Sequence, residues 1–123
     1  MKVCSLFSGI GGIDLGFQQA GFDIVWANEY DAAACKTYRH NFGESHLVEA
    51  DIHDVSAKDI PDFDVLVAGF PCQPFSSAGM QMGTEDPYGR GAMLSHIIRI
   101  CKVKKPKYLF LENVKGFTHG KFQ

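Results

Sequence analysis

An α/β fold built on a parallel sheet is the class this sequence predicts. Short apolar runs rich in β-branched and aromatic residues recur along the chain. Amphipathic stretches separate them, and glycines or capping residues mark most junctions. Strands alternating with helices form βαβ units, with the sheet parallel and helices on both faces. Ligands of such sheets gather beyond the C-terminal ends of the strands. The residues just after each strand are therefore the first candidates for chemistry.

Lys2-Val3-Cys4-Ser5-Leu6-Phe7 predicts the first strand, and Gly12 to Ala20 a short helix with Gly21 as its C-cap. Phe22 to Ala27 predicts the second strand. Asp31 to Asn41 predicts a helix with Asp31 as N-cap and Gly43 as stop. His46 to Ala50 is a third strand and Asp64 to Gly69 a fourth, the clearest of the set. Gly91 to Val103 reads as a helix with Ile97, Ile98 and Cys101 on one face, and Tyr108 to Leu111 as a fifth strand. The stretch from Ser76 to Gly91 carries Gly79, Gly83, Gly89, Gly91 and Pro87. A loop of that length inside a compact domain is usually functional or disordered.

The bulk properties fit one domain. The chain has 123 residues, 46% apolar and 21% charged, with no repeat, linker or low-complexity tract. No apolar run approaches the ~20 residues needed to span a bilayer. The N-terminus lacks the pattern of a secretory signal, so a cytoplasmic protein is expected. Cys4, Cys35, Cys72 and Cys101 match no zinc or redox spacing, and three of the four are expected to be small buried hydrophobes. Net charge is -2 but unevenly spread: residues 1–100 balance to -7 and residues 101–123 to +5. Lys102, Lys104, Lys105, Lys107, Lys115 and Lys121 make either a solvated tail or the start of a phosphate-facing surface.

The chemistry-bearing residues sit after the strands. Phe7-Ser8-Gly9-Ile10-Gly11-Gly12 follows the first. Its glycines allow a sharp turn and close approach to a ligand, and the next helix begins there with free N–H groups. Asp14 stands where a dinucleotide fingerprint needs its third glycine. A nucleoside or amino-acid-bearing cofactor therefore suits the loop better than a pyrophosphate, although a plain tight turn would look similar. Glu29, eighteen positions past Gly11, suits the two hydroxyls of a ribose, and Tyr30 could pack on an adenine face; a surface glutamate before a helix is the simpler alternative. Asp51-Ile52 follows the third strand, where the carboxylate could accept from an adenine amino group or cap a short helix. Cys72 follows the fourth strand between Pro71 and Pro74, in a rigid turn rather than a continuing strand. A cysteine there can act as a nucleophile once its thiolate is favoured. Glu112-Asn113-Val114 follows the fifth strand, with Glu112 placed to meet the same substrate or to pair with a nearby lysine.

Taken in order, Phe7-Ser8-Gly9-Ile10-Gly11-Gly12, Pro71-Cys72-Gln73 and Glu112-Asn113-Val114 resemble three signature motifs of cytosine-C5 DNA methyltransferases. Glu29 and Asp51-Ile52 match the second and third cofactor motifs of that family, and Gly91-Ala92-Met93-Leu94 resembles its fifth. The resemblance covers nearly the whole chain. It implies a Rossmann-like S-adenosylmethionine-dependent methyltransferase fold, and it gives S-adenosylmethionine as methyl donor with no metal. Phe7, Gly9, Gly11, Gly12, Glu29, Tyr30, Asp51, Ile52, Pro71 and Leu94 would line the cofactor, while Cys72, Glu112, Asn113, Pro71 and Gln73 would form the catalytic set. In the mechanism it implies, the Cys72 thiolate adds to C6 of a cytosine flipped out of DNA. Glu112 holds N3 and the amino group, C5 takes the methyl, and loss of the C5 proton expels Cys72. The segment from Ser76 to Gly91 would be a mobile loop closing on DNA.

The departures set further expectations. The family continues beyond Glu-Asn-Val with a two-arginine motif, a target-recognition region and a final Asn-bearing motif, and residues 115–123 hold none of these. The chain then reads as a partial catalytic domain over residues 1–123, its sheet incomplete at the C-terminal side and its target-recognition domain absent. It would be a fragment, or one subunit of a split enzyme with a complementing C-terminal polypeptide as well as DNA for partners. Restriction-modification at a bacterial or phage nucleoid is the implied setting. Two alternatives stay open. One is a transfer-RNA cytosine methyltransferase, although the Cys-Phe-Thr tripeptide of that branch is missing. The other is a catalytically silent cofactor-binding or interaction module.

Overall fold

The computed structural model describes residues 1–71 and 90–114. Five strands form one fully parallel sheet: β1 (Lys2–Leu6), β2 (Asp23–Glu29), β3 (Leu47–Glu49), β4 (Val65–Pro71) and β5 (Tyr108–Val114). Their order is β3-β2-β1-β4-β5. The chain winds outward from β1 through β2 and β3, then reverses direction to lay down β4 and β5. Helix α1 (Gly12–Gln19) joins β1 to β2, α2 (Ala32–Phe42) joins β2 to β3, and α3 (Arg90–Lys104) precedes β5. Two 3-10 turns, Ile52–Asp54 and Ala57–Asp59, carry the chain from β3 to β4.

The period-2 alternation of the strands, shifted in β2 by a bulge opposite Val3 and Cys4, divides the core between the two faces. Val3, Ile24, Val65 and Val67 face α1 and meet Ile13, Phe17 and Phe22. Cys4, Leu6, Trp26, Leu66 and Ala68 face the other way, against Ile52, Ile60, Ile97 and Ile100. Ala27 and Leu47 pack with Cys35 and Tyr38 of α2. Helices therefore cover both faces, as the sequence predicts. The buried stripe of α3 runs through Ile97 and Ile100, with Met93 and Cys101 partly covered. Ile98 instead points out at 47% exposure, because a helix places i+3, not i+1, on the same face.

Local signals set most boundaries. The Asp31 carboxylate accepts from Ala34 N at 2.8 Å, capping α2 as expected. Helix α1 ends at Gln19, one residue short of the expected Ala20. Gly21 stands beyond the cap at φ +97°. Phe22 N donates to Phe17 O and Gly21 N to Gln18 O, at 2.9 and 3.0 Å, and the Phe17 and Phe22 rings meet edge to face at 5.1 Å. That is a Schellman end with its hydrophobic contact, and it requires the glycine.

Three expectations are corrected. Strand β4 does not stop at Gly69 but runs to Pro71, which pairs with Val114. Its pairing with β1 ends at Ala68, so beyond that point only β5 neighbours it and a missing N–H is tolerated. Strand β5 likewise runs through Glu112, Asn113 and Val114, which lie in the strand and not after it. Among the described residues it is an edge strand, not a central one. The last two residues of the stretch from Ser76 to Gly91 begin α3, and residues 76–89 lie outside those described.

Strand β5 is apolar on both faces, yet Tyr108, Leu109, Phe110 and Leu111 are 41–59% exposed. Phe110 reaches the Phe17 ring at 5.2 Å, and an apolar groove lined by Phe17, Phe22, Tyr108 and Phe110 opens beside it. The lysine-rich stretch lies at the opposite end of the sheet from the strand C-termini. Lys107 N donates to Asp64 O at the start of β4, Lys107 Nζ lies 3.9 Å from the Asp64 carboxylate, and Lys104 Nζ lies 3.4 Å from that of Asp62. Of the two readings of this stretch, the solvated one suits these two lysines, which pair with Asp62 and Asp64. Lys115 and Lys121 lie outside the described residues.

Candidate functional site

Parallel strands bring the segments after them to one edge, and the reversal between β1 and β4 makes a crevice there. Its floor is the loop after β1. Phe7, Gly9 and Gly11 adopt φ values of +53°, +60° and +97°. A left-handed non-glycine residue costs on the order of 1–2 kcal/mol, so Phe7 must be held by its surroundings. Ser8 N donates to Asn28 O at 3.1 Å, and Gly11 N to Ser8 O at 3.0 Å. Gly11 caps α1 with no side-chain hydrogen bond, and Gly12 opens the helix. First-turn amides of such a helix are left for solvent or a ligand.

Glu29 is the last residue of β2. Its Oε1 accepts from Gly9 N at 2.7 Å, and its Oε2 accepts from Tyr30 N and Asp31 N at 3.0 and 2.9 Å. The carboxylate thus ties the glycine loop to the turn entering α2. A carboxylate has about four acceptor directions, so three bonds leave room for a further donor. Tyr30 beside it is 71% exposed, an open ring face at the rim.

Asp51 follows β3. Its Oδ1 accepts from both the backbone N and the ring Nδ1 of His53, each at 2.9 Å, capping the first 3-10 turn. Those two bonds, the backbone one first, hold its carboxyl below the usual carboxylate range. Ile52 is buried in the main core. Asp51 therefore does cap a short helix, and its Oδ2 has no partner among the described residues. Ala50 N donates to Glu29 O at 3.1 Å, which sets this turn beside Glu29.

Two residues that no sequence signal singles out hold this edge together. The Asn28 amide, buried at the end of β2, donates to Val48 O at 2.9 Å and Ala50 O at 3.0 Å, fixing the end of β3. Arg99 of α3 donates through Nη2 to Ile52 O and Val55 O, both at 2.8 Å, and through Nε to His96 Nδ1 at 2.9 Å. The His96 ring meets His53 edge to face at 4.4 Å. Helix α3, which carries Leu94 at 42% exposure, is in this way clamped against the Asp51 turn. A polar residue amid a strand and an arginine in a helical stripe are the available hints, but their partners lie 20 to 47 positions away.

On the other side of the crevice, Pro71 ends β4 in register with Val114, Phe70 with Asn113, and Gly69 with Glu112. Strand β4 therefore ends beside the Glu-Asn-Val end of β5. Cys72 and Gln73 themselves lie outside the described residues. Glu112 is exposed and borders a groove with Ile13, Phe17 and Phe110. The other three thiols are poor nucleophiles. Burial, first among the causes, pushes the Cys4, Cys35 and Cys101 thiols above the usual cysteine range. Cys35 Sγ moreover donates to Glu29 O at 3.4 Å. Cys4 and Cys35 are buried as expected, and Cys101 is half-buried.

The residues brought together are thus Gly9, Gly11, Glu29 and Asp51 on one side, and Pro71, Glu112 and Asn113 on the other. A carboxylate bonded to the glycine loop, with a second just past the end of the neighbouring strand, suits a ligand bearing hydroxyl and amino donors or a positive centre and repels a polyphosphate. No three or more His, Cys, Asp or Glu side chains among the described residues are grouped to hold a metal ion. No helix among them is long and apolar enough to cross a membrane.

Comparison with known proteins gives the same direction. The family model described as C-5 cytosine-specific DNA methylase matches residues 1–123. The chain is 50% identical over 119 residues to the Type II methyltransferase M.Bsp6I of Bacillus sp. (strain RFL6), covering 96% of this chain and 37% of that protein. It is 47% identical over 118 residues to the Type II methyltransferase M.HhaI of Haemophilus parahaemolyticus, covering 96% and 35%. Among solved structures, a DNA modification methyltransferase encoded within an E. coli prophage superposes with a TM-score of 0.73 at 31% identity, covering all of this chain and 34% of that one. The S. pombe Dnmt2 methyltransferase superposes at 0.69 and 28% identity, covering 98% and 36%. The chain spans about a third of the length of these relatives.

Proposed function

Because the chain belongs to the C-5 cytosine-specific DNA methylase family, we propose that it is the cofactor-binding and nucleophile-bearing part of a DNA (cytosine-5-)-methyltransferase. The observation that carries this reading is the register of Pro71 with Val114. It sets Pro71, the residue before Cys72, beside the Glu-Asn-Val end of the neighbouring parallel strand, at the edge that also holds Gly9, Glu29 and Asp51. Relatives about 50% identical to this chain are named Type II methyltransferases, which favours DNA over RNA as substrate and restriction-modification as the setting.

S-adenosylmethionine is the methyl donor the family implies, and when bound it supplies an electrophilic methyl on a positively charged sulfur. The residues suit it. Glu29 would accept from the ribose hydroxyls, Oδ2 of Asp51 would accept from the adenine amino group, Tyr30 and Leu94 would offer apolar contact, and the acidic edge would favour the positive sulfur. On the substrate, the Cys72 thiolate adds to C6 of a flipped-out cytosine, breaking ring aromaticity and placing electron density on C5. Glu112 holds N3 and the amino group, stabilising the charge that develops on the ring. With the donor bound, C5 would receive its methyl and release S-adenosylhomocysteine; loss of the C5 proton to solvent would then expel the Cys72 thiolate and restore the double bond. The resemblance assigns Pro71, Gln73 and Asn113 to the same catalytic set.

Residues 1–123 then form a partial catalytic domain, with target recognition supplied by further polypeptide that covers the exposed apolar β5 edge. Two features support this: the exposed apolar side chains Tyr108 to Leu111 of β5, an edge strand among the described residues, and the span of about a third of the relatives' length. A DNA substrate places the protein in the bacterial cytoplasm. The test is tritium transfer from labelled donor to mixed-sequence DNA. We expect little incorporation by these 123 residues alone, because specific DNA recognition buries roughly 1,000–2,500 Å² of protein surface. Incorporation should rise when a polypeptide supplying the remaining two thirds of a relative is added. Robust, sequence-specific transfer by the 123 residues alone would overturn the partial-domain reading.

The donor site makes its own prediction. Glu29→Gln replaces an acceptor oxygen by an N–H donor facing backbone N–H groups, so both the loop tie and the hydroxyl acceptor suffer. S-adenosylhomocysteine affinity should fall at least tenfold, or about 1.4 kcal/mol. Calorimetry showing unchanged affinity would remove Glu29 from the ribose role.

A further inference from the structure

Beneath the glycine loop lies a buried polar network that the proposed reaction does not use. Asp14, in the first turn of α1, is 1% exposed. Its Oδ1 accepts from Ser5 Oγ and its Oδ2 from Tyr38 OH, both at 2.6 Å. Ser5 Oγ lies 2.9 Å from Ser8 Oγ, and Tyr38 OH lies 2.9 Å from His46 Nε2. Ser8 Oγ is also 3.2 Å from Ser5 O.

Burial raises the Asp14 carboxyl above the usual carboxylate range, against the two hydroxyl bonds that hold it down. As a carboxylate it only accepts, so Ser5 and Tyr38 each give it their one hydroxyl proton, and the remaining bonds take their directions from that. Ser5 then has none left for Ser8, so the Ser8 hydroxyl must donate inward. Tyr38 has none left for His46, so His46 must carry its proton on Nε2. Burial, its largest influence, keeps the His46 ring below the usual histidine range and therefore neutral, which leaves Nδ1 bare. All donors converge on Asp14 from β1, the loop, α2 and the entry to β3. The carboxylate also sits at a helix N-terminus, where negative charge is favoured.

We propose that Asp14 is a positioning residue for the loop of residues 7–11: by orienting Ser5 it draws the Ser8 hydroxyl inward and holds the left-handed path through Phe7 and Gly9. Ser8 lies between those two residues, and its one hydroxyl proton is shared between the side chain and the carbonyl of Ser5 in the core. The effect on donor binding rests on the cofactor reading given above; the loop geometry does not.

The experiment is NMR on the protein with and without S-adenosylhomocysteine. Nitrogen shifts of wild-type His46 should report the Nε2–H tautomer. In Asp14→Asn the amide can accept from only one of the two hydroxyls and must donate toward the other. The Gly9 and Gly11 amides should then exchange at least tenfold faster, while Leu66 and Val67 of β4 stay protected. Ser8→Ala should speed exchange at the same two glycines and Ser8→Thr should restore protection, which keeps the test alive if Asp14→Asn fails to fold. Affinity for S-adenosylhomocysteine should fall in step with loop exchange. An Nδ1–H tautomer in the wild type, or wild-type exchange at Gly9 and Gly11 in both Asp14→Asn and Ser8→Ala, would overturn the proposal. The expected exchange pattern in a protein that binds no S-adenosylhomocysteine would support the positioning role and sink the cofactor reading instead.

Discussion

Replacing Cys72 with Ser is expected to lower methyl transfer by roughly a thousandfold or more in any complemented system, about 4 kcal/mol on the barrier at 1.36 kcal/mol per tenfold. The proposed reaction begins with sulfur adding to C6, and a serine hydroxyl remains protonated where a cysteine becomes thiolate. No other described thiol can take over. Cys4 and Cys35 are buried, and the Cys4, Cys35 and Cys101 thiols are all pushed upward by burial. Donor binding should hardly change, because Gly9, Glu29 and Asp51 belong to other strand ends. The measurement is tritium incorporation alongside calorimetry with S-adenosylhomocysteine. Activity close to wild type in Cys72→Ser would rule out the covalent route.

The second large effect is on stability. Gly11→Ala places a Cβ 2.2 Å from Phe42 Cε2, at a backbone φ of +97°. The ring cannot easily move aside, since it stacks on Tyr38 with centroids 4.5 Å apart. Left-handed strain and forced repacking together should cost roughly 2–4 kcal/mol, lowering Tm by roughly 10 °C or more. Gly16→Ala is the matched control. It lies inside α1 with nothing within 4 Å of its added Cβ, and it should stabilise by about 0.5–1 kcal/mol. Equal melting temperatures for the two variants would show that the loop adapts and that Gly11 is no constraint.

Local chemistry is what the sequence makes legible. Asp31 caps α2 through a residue three positions away, and Gly21 follows α1 because a Schellman end needs a left-handed residue. The parallel α/β class comes from alternating elements, and the placement of Gly9, Glu29 and Asp51 comes from the class. The corrected expectations share a cause. Pro71 has the look of a strand breaker, but whether a missing N–H matters depends on which neighbour would have received it, and β1 ends before that point. Glu112 and Asn113 are polar for a strand, yet β4 supplies their backbone partners. In α3, the buried partner of Ile97 is Ile100 and not Ile98. Asn28, Arg99 and Asp14 give no local signal of their roles, since each acts on groups 9 to 47 positions distant. The Cys72 and Gln73 side chains lie outside the described residues, and their roles rest on the family motif.

The rim of this sheet is not level. β1 stops pairing with β4 at Leu6 and Ala68, while β4 and β5 continue together for three more residues, to Pro71 and Val114. At about 3.3 Å per residue the pair rises roughly 10 Å above the point where β1 turns into its glycine loop. The fold thus has a step cut into it, with a low tread on the donor side and a high riser on the nucleophile side. A riser of that height is about three times the 3.4 Å rise between stacked bases. A single base brought against it can lie edge-on to the riser while a second flat ring occupies the tread beneath. In the proposed reaction, strand length would set the vertical offset between the group that gives the methyl and the ring that takes it, before any side chain is chosen.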